Sequence, residues 1–227
     1  MAVIHNTNLT PNKLELLTAW LPGRPWYSAG TGAPDLAKAG GFRLDDPEGV
    51  VGIEFLVVTD SARTEPTAYL VPMTYRGAPL AGADHALVGT MEHGVLGRRW
   101  AYDGCHDPVL VAQLLALIDG RAPAQNQNVS DTPDREVTRS CVRGELAAAD
   151  FTAPPVDDRT GTELAGPHGT TLRLHRVLRP TQGGTPARPA EATGHVAGSW
   201  HMPDDTHTQG LLAVLQPGPR ASQESPR

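Results

Sequence analysis

The chain has 227 residues, a formal net charge of −6 and a pI near 5.8, a balance that excludes binding along a nucleic-acid backbone, which takes a basic patch. Arg98-Arg99 and the Arg173, Arg176, Arg179 series are the only basic clusters, and 24 glycines with 21 prolines commit much of the chain to loops. Two cysteines, Cys105 and Cys141, give neither a disulfide framework nor zinc-ligand spacing, and no apolar run reaches the roughly 18 residues of a membrane helix, so a reduced, cytoplasmic protein with one good core or two small ones is expected.

Residues 2–8 read as an extended lead-in. Thr10 then has the chemistry of an N-cap and Pro11 of a first helical residue, while Leu9 and Leu14 have the spacing of a hydrophobic staple. Leu14, Leu17 and Leu21, with Trp20 beside them, make a stripe at helical period that Pro22-Gly23 stops. Trp26 and Tyr27 follow at once, so three of the eleven aromatics fall within residues 20–27 and should anchor burial there. Residues 28–41 are Gly-rich, with neither the strand-to-helix frame nor the Gly-Lys-Ser/Thr ending of a phosphate loop, and read as an irregular loop.

Residues 42–44 and 50–58 flank Asp45-Asp46-Pro47-Glu48-Gly49, which predicts a hairpin with its carboxylates in water rather than on a metal. Val51, Ile53, Phe55 and Val57 alternate onto one apolar face that should meet the helix. A further strand is expected over 68–75. Pro72 cannot donate to a ladder, which predicts an edge strand or a bulge, and an open edge is a docking site for another chain. Residues 86–91 and 98–102 give two short strands around His93-Gly94. Asp107 and Pro108 then open a second helix whose apolar face is Leu110, Val111, Leu114, Leu115 and Ile118, with Gly120 at its end. Asp103, His106 and Asp107 lie close in sequence as an acid/base group would, but capping accounts for Asp107 without chemistry.

Residues 122–135 are polar and read as a linker. Strands are expected over 136–142 and 170–178, and a hairpin pairs 195–200 with 210–215 across residues 203–206. From Pro217 the composition predicts disorder. His195, His201 and His207 recur every six residues, but no carboxylate or cysteine supplies an evident further ligand, and no metal site is assigned to them.

Trp20-Leu21-Pro22 followed by Trp26-Tyr27, the paired stretches 51–58 and 69–73, and the segment 103–118 resemble the N-terminal cap domain of actinobacterial maltokinases and related sugar kinases. Arg24 comes one position earlier than the family's arginine, and Pro25 stands in its place. The resemblance implies an α+β fold: a cystatin-like cap, with a helix packed on a curved antiparallel sheet, over residues 1–121. The linker at 122–135, a smaller β-rich region at 136–216 and a tail at 217–227 would follow. Proteins of this kind phosphorylate maltose or related sugars with ATP and magnesium. Residues 172–180 are similar to a kinase N-lobe strand, with Arg173 where the family has an ATP-contacting lysine. Arginine's planar fork does not replace a compact ammonium there.

No His-x-Asp run with a following asparagine, and no Asp-Phe-Gly-like triplet, supplies the catalytic and metal-binding groups that phosphoryl transfer needs. The residues after the linker are too few for two kinase lobes. The expectation is therefore a cap-like accessory or regulatory protein, without catalytic or metal-binding residues of its own. It would partner a sugar kinase or a trehalose- or glucan-metabolising enzyme through Trp20, Trp26, Tyr27, Tyr69 and Pro72. The alternatives are a sugar kinase or ATP-binding remnant using Arg173, ATP and Mg, and a homo-oligomerising structural module.

Overall fold

A computed structural model describes residues 9–142, 146–181 and 186–218; the lead-in at 2–8 and the tail from 219 lie outside the described residues. In chain order the elements are β1 (Leu9–Thr10), α1 (Lys13–Trp20), β2 (Leu36–Leu44), β3 (Gly52–Asp60), β4 (Thr67–Arg76), β5 (Leu87–His93), β6 (Gly97–Asp103) and α2 (Pro108–Asp119). Then come β7 (Thr138–Cys141), β8 (Val156–Asp157), β9 (Gly161–Ala165), β10 (Thr171–His175), β11 (Gly194–His201) and β12 (His207–Gln216). The fold is α+β and dominated by one large antiparallel sheet, in the order β1-β5-β6-β4-β3-β2-β11-β12-β10-β9-β8, with β7 added on β11.

The first helix begins two residues later than its prolines and threonines suggest. Asn12 is the N-cap: its side-chain oxygen accepts from the Glu15 N–H at 3.0 Å, and the Glu15 carboxylate accepts from the Asn12 N–H at 2.7 Å. That reciprocal capping box satisfies two otherwise orphaned donors, whereas Thr10 is drawn into β1 and pairs with Glu92 of β5. The helix ends as expected, in a tight turn over Leu21–Gly23. The second helix follows its sequence signals throughout: the Asp107 carboxylate accepts from the Val109 N–H at 3.0 Å, Pro108 stands at the first turn, and Gly120 closes the helix in the left-handed conformation at φ 80°.

The two helices cover opposite faces of the sheet. Ile53, Phe55 and Val57 of β3 point into a core with Leu110, Leu114 and Ile118 of α2, where the Phe42 and Phe55 rings stack at 4.5 Å. Leu56 and Val58 point the other way and pack with Leu17, Leu21 and Trp26. The alternation of β3 is thus apolar on both sides because both sides are buried, as in the interior strand of a covered sheet.

Two expectations fail here for identifiable reasons. The Gly-rich stretch 28–41 is not all loop, since β2 starts at Leu36. Its glycines serve close approach: a Cβ on Gly40 would lie 3.0 Å from the Ser199 carbonyl oxygen of β11, and Gly41, at φ 122°, would put one 2.0 Å from the Phe55 carbonyl oxygen. Nor is β4 an edge. It pairs with β3 along its whole length, and on its other side residues 73–76 pair with β6 while 68–70 meet 176–178. Pro72 falls in the gap between those two partners, where no donor is required.

That second partner closes the sheet on itself. The Leu70 N–H donates to the Arg176 carbonyl at 2.9 Å and the Leu178 N–H to the Ala68 carbonyl at 2.9 Å, around the bridge Tyr69↔Val177. A hydrogen-bonded circuit therefore runs β4-β3-β2-β11-β12-β10 and back to β4, and α2 packs with its interior residues. The contact between β2 and β11 in this circuit is a single pair, Trp200↔Gly40. Residues 122–135 hold no helix or strand but are tied down beside it by reciprocal backbone bonds between Arg43 and Gln125, both 2.9 Å.

Candidate functional site

Where the strand after β10 meets β4, a cation is buried. Leu172, Leu174, Arg176 and Leu178 share one phase of the strand and all four are buried, with Arg176 fully inaccessible. Its Nη2 donates to both oxygens of Asp103 at 2.6 Å, its Nε donates to Thr162 Oγ1 at 2.7 Å, and its guanidinium lies 5.1 Å from the Trp26 ring centroid. Thr162 in turn donates to Asp157 at 2.5 Å. Asp103 also accepts from the Cys105 N–H, so one network joins the end of β6, the 3-10 turn after it, and β8–β10. Burial pushes the Cys105 thiol far above its ordinary range, which keeps it protonated and unreactive. This junction was hidden at the sequence level by separation, although the phase of Arg176 with three leucines was visible.

A cleft of about 160 Å³ opens where β2 and β11 cross. Its apolar side is formed by Phe42, Val57, Trp200 and Leu212, and its polar side by Asn126, Gln127, Asn128, Glu136, Ser199 and His201. Ser199 donates to Glu136, and that bond is the first cause of a Glu136 pKa below the ordinary glutamate range; His207, 3.6 Å away, adds to it against the opposing effect of partial burial. Trp200 is buried and its Nε1–H has no protein partner, nor has the Gln127 Nε2 amide.

The residues singled out from sequence are placed as follows. Trp26, Tyr69 and Pro72 are buried and Trp20 is nearly so, while Tyr27 is half-buried. They form an aromatic chain inside the protein, with Trp20–Trp26 and Trp26–Tyr69 centroids 5.9 Å apart and Tyr27–Tyr69 centroids 5.5 Å apart. Trp20, Trp26, Tyr69 and Pro72 are core, so the docking surface expected of those four is corrected, while Tyr27 stays partly at the surface. Tyr27 donates to Asp60 at 2.6 Å; burial, reinforced by that carboxylate, raises its pKa well above the ordinary value.

Arg173 is out of phase with the buried leucines. Its guanidinium is held by Asp158 at 2.8 Å and by Thr160 Oγ1 at 2.8 Å, with Glu163 at 3.9 Å. The guanidinium is thus engaged within the protein by a carboxylate and a hydroxyl, with part of it still exposed. Asp107, besides capping α2, is gripped by Arg76 through two 2.7 Å bonds, which removes it from any acid/base role with His106. His106 instead meets His85 at 3.1 Å, and burial lowers its pKa. His195 pairs across to Val214, remote from the hairpin end, whereas His201 and His207 are direct cross-strand partners with ring centroids 5.1 Å apart. Asp46 organises the acidic turn, accepting from the N–H groups of Glu48, Val50 and Val51. Cys105 and Cys141 are both free thiols. No helix among the described residues is long and apolar enough to cross a membrane.

A partly buried ion pair, Lys13 with Glu54, couples α1 to β3. Burial favours the neutral acid at Glu54, but Lys13 and the Tyr75 hydroxyl, which donates at 2.7 Å, outweigh it and lower its pKa. A carboxylate whose folded pKa is depressed contributes stability that is complete above the unfolded value of about 4.3 and is lost as pH falls through the folded value. Thermal melts between about pH 6 and pH 2 should therefore show a steeper acid loss for the native chain than for Glu54→Gln. Parallel acid limbs for the two proteins would show that Glu54 contributes nothing to that loss.

The class of protein these features define is an α+β domain in which a short capped helix and an aromatic corner lie on one face of an antiparallel sheet. Residues 20–107 match the family model of the maltokinase N-terminal cap domain, so the resemblance carried by Trp20-Leu21-Pro22, Trp26-Tyr27 and the strands after them is borne out over that segment. The matched segment runs from the last residue of α1 to the N-cap of α2. A search of curated proteins found no match.

Proposed function

We propose that the chain is a cap-type accessory protein, non-catalytic by itself, that associates with a sugar kinase of the maltokinase type or an enzyme of trehalose or α-glucan metabolism in the cytoplasm. The observation that carries this reading is the cap-domain match over residues 20–107 in a chain whose other residues hold no set of phosphoryl-transfer motifs. We assign α1 and the strands β2–β6 to a cystatin-like cap unit within residues 1–121, followed by the connection at 122–135, the β-rich region at 136–216 and the tail at 217–227. The burial of the aromatic corner moves the contact with the partner away from Trp20, Trp26 and Tyr69 and onto the outer strands and turns of the unit.

Sedimentation velocity of the full chain mixed with a maltokinase-type kinase tests the reading. A faster-moving complex that contains both proteins at micromolar concentration is the expected result. Independent sedimentation of the two, with the chain forming only a dimer with itself, would overturn it and leave the homo-oligomeric reading.

A further inference from the structure

The acid/base group that the sequence suggests at Asp103, His106 and Asp107 is taken apart by the fold, since both carboxylates are claimed by arginines and His106 is left to another partner. The strand register decides which one. Leu87 opens β5 directly opposite Tyr102 of β6, so the 3-10 turn at Asp84–Ala86 that enters β5 and the turn at Gly104–His106 that leaves β6 lie at the same end of the sheet. His85 and His106 meet there, with Nε2 of the first 3.1 Å from Nδ1 of the second and the rings nearly perpendicular at 84°.

Both turns are fixed by bonds that do not involve the imidazoles. Ala86 is buried and its N–H donates to the Ala83 carbonyl at 2.9 Å, while the Leu80 N–H donates to the Tyr102 hydroxyl at 2.9 Å. On the other side Asp103 accepts from the Cys105 N–H, and the Asp107 N–H donates to the Gly104 carbonyl at 3.0 Å. The two rings are therefore presented by preorganised backbone, and their contact lies at the surface, with His85 exposed and His106 half-buried. Among the charged groups that act on His106, Asp103 and Arg176 neutralise each other and Asp157 leaves the surroundings net negative, which favours a cation.

Two nitrogens bound to one first-row metal ion at about 2.0–2.1 Å stand about 2.9 Å apart at a right angle and about 3.3 Å apart at the tetrahedral angle. The separation of His85 Nε2 from His106 Nδ1 falls between these limits. We propose that these two nitrogens chelate a divalent transition-metal ion of the kind that prefers imidazole, with zinc as its representative. Among the described residues no group of three or more His, Cys, Asp or Glu is placed to hold a metal, so the protein supplies two donors and water completes the coordination shell. Coordination uses the lone pair of each facing nitrogen, so the ring that donates in the present contact carries its proton on its other nitrogen in the metal-bound form, and both rings stay neutral. Mg²⁺ prefers oxygen donors and does not compete. Binding there is a property of the chain alone and does not depend on a kinase partner.

The test is a titration of the full chain with Zn²⁺ in the presence of excess Mg²⁺, followed through the assigned imidazole resonances of its nine histidines. Saturable, EDTA-reversible shifts of the His85 and His106 signals at micromolar Zn²⁺ are expected, ahead of any response of the exposed His168. His85→Ala alters an exposed residue and should leave the circular dichroism spectrum unchanged while raising the midpoint of the His106 shift about tenfold or more, because the second donor of the chelate is lost. Absence of saturable shifts at His85 and His106, saturation no earlier than that of His168, or an unchanged His106 midpoint in His85→Ala would each overturn the proposal. A negative result here leaves the kinase association standing, since sedimentation reads that separately.

Discussion

Replacing Arg176 by alanine is expected to destabilise the protein by about 3–5 kcal/mol, because it strands the Asp103 carboxylate in a site where neither partner reaches water. For a chain of this length that corresponds to a fall of roughly 10 °C in Tm, measurable by circular dichroism or calorimetry. The cost comes from leaving one charge uncompensated, and the pair itself carries a large desolvation penalty. One guanidinium nitrogen, Nη1, has no protein partner, which adds to that penalty. The double variant Arg176→Met with Asp103→Asn removes both charges and keeps an acceptor for the Cys105 N–H, so it should recover most of the lost stability. A double variant as unstable as the sum of its single changes would show that the network acts through packing rather than charge.

Trp26→Ala carries the next largest expected effect, a loss of about 3–5 kcal/mol, as for an indole removed from a closed core. The residue fills the space between α1 and β4, touching Trp20 and Tyr69, and lies over Arg176. A tryptophan that served only to dock a partner would cost the free protein no more than about 0.5 kcal/mol when truncated. Denaturant unfolding of the isolated variant decides between core and docking roles. Because Trp26 and Arg176 are in contact, the two substitutions should also combine non-additively.

How far the sequence reveals this molecule depends on whether a signal is local. The helix from Pro108 is legible end to end, since an Asp-Pro start, a helical stripe and a terminal Gly all agree. The hairpin of β11 and β12 is legible for the same reason, down to the turn at residues 203–206. The capping box Asn12-x-x-Glu15 was present in the sequence, but the neighbouring Thr10-Pro11 pair offered a competing start, and tertiary pairing of Thr10 with β5 decided the outcome.

What was not legible depends on distant chain segments. The glycines at 40 and 41 look like loop residues until β11 is seen crossing them at contact distance. Pro72 looks like an edge marker until the gap between two partners of β4 is seen to fall there. The choice of Arg173 over Arg176 shows the same limit. Family likeness points to Arg173, whereas strand phase puts Arg176 among the buried leucines, and it is Arg176 that finds Asp103 across 73 residues of sequence. The cleft is a meeting of β2, residues 126–136 and β11, and nothing in any one of those segments announces it.

We propose that this chain works by binding a partner and does not itself transfer phosphate. Isothermal titration of the full chain with ATP and Mg²⁺ tests it most directly. No saturable heat is expected, since Arg173 is already held by Asp158 and Thr160. Micromolar binding that disappears in Arg173→Ala would contradict the claim and restore the kinase reading.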